Sequence, residues 1–105
     1  MSQYTSVGIE EKIIVIPPNG EWYYLEEGSG KNYELMTDYS EERIGGGELP
    51  LAKIAIRFNV SGEEKEKKLV NKVNEYENEK NVQIDALRIV CLNDILTAYA
   101  LREIK

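Results

Sequence analysis

The chain has no histidine and a single cysteine, Cys91. Without an imidazole there is no Ser-His-Asp triad, no Cys-His pair and no His-liganded zinc. A lone cysteine forms no internal disulfide, which fits a reducing compartment. Its setting in the apolar run Ile-Val-Cys-Leu reads as an inert core thiol rather than a thiolate. No apolar stretch approaches the roughly 20 residues that span a bilayer. The first residues, MSQYTSVGIEEK, lack the basic segment and apolar core of a secretory signal. A cytoplasmic protein with no membrane partner is the expectation. The sequon Asn59-Val60-Ser61 is then a matter of spelling only. Glutamine is scarce while Glu and Lys are abundant, a bias that thermophilic proteins share.

What is present is acid. Nineteen Asp and Glu against thirteen Lys and Arg leave a formal charge of −6. Such a chain repels phosphate backbones and anionic membranes at long range, so basic or neutral protein partners are favoured over nucleic acid. A hydrophobic content of 42% is that of a folded protein. A length of 105 residues fits one globular domain, 1–105.

The texture of the chain changes at Ser61. Residues 12–16, KIIVI, form a β-branched run stopped by Pro17-Pro18-Asn19-Gly20, which predicts a buried strand and a reversal. Residues 21–26, EWYYLE, give a returning aromatic strand, and 32–37 a weaker third. Turns this short imply an antiparallel meander. Residues 39–50 carry no repeating pattern, and a loop of that length is mobile or functional. Residues 52–60 then alternate: Ile54, Ile56, Phe58 and Val60 on one side, Lys53, Ala55, Arg57 and Asn59 on the other. The spacing Ser61-x-x-Glu64 predicts a capping box opening a helix to about Lys80. Its apolar stripe is Leu69, Val70, Val73 and Tyr76, with Glu63–Lys67 and Glu64–Lys68 as i,i+4 pairs. Residues 82–92 turn apolar on both faces, as an interior strand does. Asn93 reads as the cap of a last helix, 94–104, docked by Ile95, Leu96 and Tyr99. The expected fold class is α+β. A mixed sheet of about five strands carries two helices in the order β-β-β-β-α-β-α, with 52–60 and 84–92 as parallel neighbours.

Few residues offer chemistry. Gly45-Gly46-Gly47 leads into Glu48-Leu49-Pro50 and a strand, not into the helix N-terminus that a phosphate loop needs, and so reads as a connector. Asp38, Glu41, Glu42 and Glu48 gather around the long loop. Asp38 and Glu48 are the candidate ligands for Mg²⁺ or Mn²⁺. Lys53, bordering the loop, is the candidate general base.

The element order resembles the core of the restriction-endonuclease-like nucleases. That family carries an Asp on one strand and a Glu/Asp-x-Lys on the next. Asp38 and Lys53 match in position, while Leu51 stands where the second acid belongs and Glu48 would have to serve from the loop. The resemblance implies a metal-dependent nuclease using Asp38, Glu48 and Lys53, or an inactive relative of one.

Trp22, Tyr23 and Tyr24 are the densest aromatic cluster. On a strand, Trp22 and Tyr24 share one face, and Tyr23 and Leu25 the other. Two thin helical stripes cover one face of a sheet, so part of this cluster meets water unless a partner covers it. The leading expectation is therefore a non-catalytic protein-interaction module, more simply not an enzyme and needing no cofactor. It is expected to form a homodimer through 21–26, with Trp22, Tyr23 and Tyr24 as interface residues.

Overall fold

A computed structural model describes residues 11–39 and 53–105. It is an α+β fold in which the described residues form one helix and every strand pairing is antiparallel. Strand β1 (Glu11–Val15) is flanked by β2 (Tyr23–Tyr24) and by β7 (Ala86–Leu92). The long β8 (Ile95–Ile104) lies on the far side of β7. Its other edge is shared by β6 (Arg57–Ser61) and β3 (Asn32–Leu35).

This arrangement corrects the expected chain path in three places. The expected helix at 94–104 is a strand, Ile95–Ile104, preceded by a turn. Asn93 and Asp94 both adopt positive φ, 51° and 64°, the backbone of a two-residue hairpin turn whose twist matches that of its strands. Both residue types tolerate the left-handed region, so the pair closes β7 onto β8 instead of capping a helix. Leu96, Ala98 and Ala100 then alternate into the core. With β8 inserted between them, β6 and β7 are not neighbours, and no parallel β-α-β unit exists among the described residues. The expected meander also stops after β1 and β2, because β3 pairs with β8.

Helix α1 (Lys65–Lys80) covers one face of the sheet with Leu69 and Val73, both buried. These meet Phe58, Val60, Leu87, Ile89, Leu96 and Ala98 in the core. Tyr76 sets its ring edge-on to Phe58 at 5.7 Å. The expected capping box does not form: Glu64 is the N-cap, in left-handed conformation, with no side-chain cap bond. Ser61 belongs to β6, its carbonyl accepting from Lys68 Nζ at 3.1 Å. Lys67 pairs with Glu64 at 3.6 Å, and Lys65 reaches Asp94 at 3.0 Å, in place of the expected i,i+4 pairs. At the far end Asn81 is a left-handed C-cap. The Glu77 carboxylate takes the Ile84 amide at 2.9 Å and fixes the exit from the helix.

The sheet forks at three buried residues. Met36 N–H donates to Ala100 O at 2.9 Å, Ala100 N–H to Ile56 O at 3.0 Å, and Ile56 N–H to Met36 O at 3.1 Å. Beyond this closed ring the chain leaves β8, and β4 (Thr37–Tyr39) pairs with β5 (Lys53–Ala55) as a separate two-stranded ribbon. Residues 54, 56, 58 and 60 do share one side, but Ile54 lies on the ribbon and is exposed while the other three are buried.

Candidate functional site

Two regions gather the residues that sequence reasoning singled out. The first is the aromatic edge of the sheet. Pro17-Pro18-Asn19-Gly20 reverses the chain, and β2 returns along β1 with Tyr24 opposite Ile14 and Tyr23 opposite Val15. Leu25 N–H donates to Ile13 O at 2.8 Å. Antiparallel alternation therefore turns the backbone groups of Tyr23 and Leu25 toward β1 and those of Trp22 and Tyr24 outward. Among the described residues no strand pairs with that outer edge.

The side chains split as a strand requires. Trp22 and Tyr24 fall on the helix side. Trp22 is half-buried against the core, whereas Tyr24 is 58% exposed. Together with Ile14, Leu69, Val70 and Leu96 they line a largely apolar groove of about 440 Å³ between the strand edge and α1. Glu21 and Glu66 also line it. Tyr23 lies on the opposite face and is 46% exposed. Each exposed tyrosine has a lysine over its ring: Lys12 at 5.2 Å from Tyr24 and Lys31 at 6.0 Å from Tyr23. Lys31 Nζ also donates to the Tyr23 hydroxyl at 3.3 Å, which raises the Lys31 pKa. Of the expected interface residues, Tyr23 and Tyr24 are presented to solvent and Trp22 is the groove wall behind them. Leu69, Val70 and Leu96 were legible only as core, because nothing in their spacing says that β2 stops short of covering them.

The second region is the root of the ribbon. Asp38 Oδ2 accepts from the Tyr76 hydroxyl at 2.8 Å, and Oδ1 accepts from the Tyr39 amide at 2.7 Å. Those two bonds, the tyrosine's first, hold the Asp38 pKa below its ordinary value. Burial and then the bond to Asp38 push the Tyr76 hydroxyl up to about 12. This carboxylate ties the helix to the ribbon.

It is not assembled into the expected catalytic set. Asp38 stands opposite Ile54, so it shares a side with Ile54, while Lys53, opposite Tyr39, projects from the other side of the ribbon. A two-residue periodicity separates the acid from its expected base. Glu48, Glu41, Glu42, Leu51 and the Gly45–Gly47 run lie outside the described residues. Among the described residues no group of three His, Cys, Asp or Glu could hold a metal ion. The element order behind the nuclease resemblance also fails, since it rested on the parallel unit that β8 replaces. Cys91, read from sequence as a core thiol, is exposed near the end of β7, where the burial of the strand runs out.

Comparisons with protein-family models, with curated proteins and with solved structures find no match. Among the described residues no helix is long and apolar enough to cross a membrane.

Proposed function

We propose that this domain is a non-catalytic protein-interaction module that self-associates through the sheet edge at 21–26, of which Tyr23–Tyr24 is the strand β2. The observation that supports this reading is an edge strand whose outward backbone groups belong to Trp22 and Tyr24, flanked by two exposed tyrosines. An unpaired edge is a template for another strand. A second copy can satisfy it by two-fold antiparallel pairing, and closed dimers are the commonest oligomers.

Charge selects the register. Outward groups on Trp22 and Tyr24 allow pairings in which even-numbered residues bond to each other. Placing Tyr24 on the two-fold axis sets Glu21 opposite Glu27 and Trp22 opposite Glu26. Placing Tyr23 on the axis sets Glu21 opposite Leu25 and Trp22 of one copy opposite Tyr24 of the other. The second register separates the acids and stacks aromatic rings across the strands, a contact worth about 0.2–1 kcal/mol per pair. An exposed Cys91 fits a reducing, cytoplasmic setting for such a dimer.

Sedimentation equilibrium at micromolar concentration should give about twice the chain mass of 12.0 kDa. Tyr24→Pro removes an outward amide without touching the ladder to β1, so the variant should sediment as a folded monomer. A wild-type monomer at these concentrations refutes the reading.

A further inference from the structure

The sheet face turned away from α1 carries a feature independent of the edge strand. Arg57 pairs with Tyr99, Tyr99 with Arg88, and Arg88 with Ile13. The four residues form one row across neighbouring strands and all point from the face opposite to Phe58, Ala98 and Leu87. Strands lie about 4.8 Å apart, so the arginine Cβ atoms stand roughly 10 Å apart with the Tyr99 ring between them.

Neither guanidinium has an ion pair or a hydrogen bond among the described residues. That is notable in a chain with six more acidic than basic residues. The carboxylates nearest this face, Glu11, Glu27, Asp85 and Glu103, make no ion pair with the arginines. Glu11 is opposite Val90, diagonal to Arg88, and Glu103 is opposite Tyr33 at the other margin. Apart from Glu11, the rows beside the arginines are apolar or neutral. Val90 and Thr97 come first, then Leu92 and Ile95, which are 49% and 48% exposed. On the other side lie Val15, Ala86, Leu101 and the exposed Leu35.

We propose that this row is the docking site for an acidic segment of a partner protein. A carboxylate on each guanidinium would be held by paired N–H donors, and an apolar side chain between them would rest on Tyr99. Arg and Tyr concentrate binding energy at protein interfaces, while Lys and Glu are depleted there. Nucleic acid fits less well. Tracking a phosphate backbone takes a run of cations, and this row holds two arginines separated by a tyrosine. The exposed leucine and isoleucine beside the row have no role in such a complex.

The test uses fluorescence anisotropy at low salt with three labelled probes: a Glu-Glu-Leu repeat peptide, its Gln-Gln-Leu counterpart and oligothymidylate. The Glu peptide should bind, and its affinity should fall about tenfold or more in Arg57→Gln/Arg88→Gln and with the Gln peptide. Arg57→Gln alone, at an exposed and unpaired side chain, should keep the wild-type urea midpoint and weaken binding about threefold or more. Tyr24→Pro should bind the Glu peptide as the wild type does, which separates this site from self-association. No binding of the Glu peptide overturns the proposal. So does equal binding of the Gln peptide, undiminished binding by the arginine variants, or preference for oligothymidylate.

Discussion

Leu69→Ala tests the packing logic most sharply. Leu69 and Val73 are the two buried side chains of α1, and Leu69 is 2% exposed. The helix is otherwise lysine, glutamate and asparagine on its solvent side, and a 16-residue helix of that kind is marginal on its own in water. Its docking therefore depends chiefly on the two buried contacts, with Tyr76 against Phe58 as a third. Truncating a fully buried leucine costs about 2–5 kcal/mol, the upper end applying where the cavity cannot collapse. Here Leu69 borders the Trp22 groove, so partial collapse is available and about 3 kcal/mol is expected. Against a total of roughly 5–15 kcal/mol for a chain of this size, that is a fifth to more than half of the stability. The midpoint of thermal unfolding should fall by roughly 12 °C. Urea unfolding followed by helical circular dichroism and by Trp22 fluorescence should show coincident transitions, with an unchanged slope and a lowered midpoint. Val70→Ala, at a half-buried site, should cost about 1 kcal/mol or less. A loss below about 1 kcal/mol for Leu69→Ala, or separate transitions for helix and tryptophan, would refute the claim that this contact holds helix and sheet as one unit.

Three further outcomes are expected. Asn93→Val forces a β-branched residue into a left-handed turn position and should lower stability by roughly 1–2 kcal/mol, while Asn93→Gly should leave it unchanged or raise it, both read from urea midpoints. Cys91 should react with a thiol reagent in the native protein at one group per chain, and reaction seen only after denaturation would contradict its exposure. Asp38 has a folded pKa below the ordinary 3.8, so its contribution to stability is complete above that value and is lost as pH falls through the folded one. In Tyr76→Phe the principal cause of that depression is gone, so the acid-induced loss should start at the same pH, be smaller and be complete at a higher pH. Identical acid profiles for the two proteins would mean that the Tyr76–Asp38 bond does not form in solution.

Sequence patterning located β1 and α1 from a clear stop and a clear period, and placed β2, β6 and β7 within longer expected strands, 21–26, 52–60 and 82–92. The β-branched run before Pro17 could be only a strand, and the charged stretch after Gly62, with Leu69, Val73 and Tyr76 on one side, only a helix. Residues 95–104 satisfied both periods at once. Ile95, Leu96 and Tyr99 fit a helical face, while Leu96, Ala98 and Ala100 fit a strand, and two alanines gave no β-branched signal to decide between them. The deciding residues were Asn93-Asp94, whose tolerance of positive φ serves a hairpin turn as well as Asn serves a helix cap. That one misreading produced the parallel unit and with it the nuclease analogy. The candidate interface was legible to the level of which residues alternate. The face that each set would occupy was not, because it depends on pairing with β1. The Arg57–Tyr99–Arg88 row could not be read at all before β8 was recognised as a strand, since its middle member lies there.

The placement of β8 has a consequence for the order in which the molecule can be made. It is the hub of the sheet, bonded to β7 along one edge and to β6 and β3 along the other, yet it follows all of them in the chain. During synthesis β3 and β6 are complete long before the strand that joins them exists. The fork at Met36 and Ile56 stays open until Ala100 arrives. Contacts that wait on such distant partners make folding slow, and the nascent chain carries unpaired strand edges in the interval. The domain should therefore depend on protection during translation more than its modest size suggests.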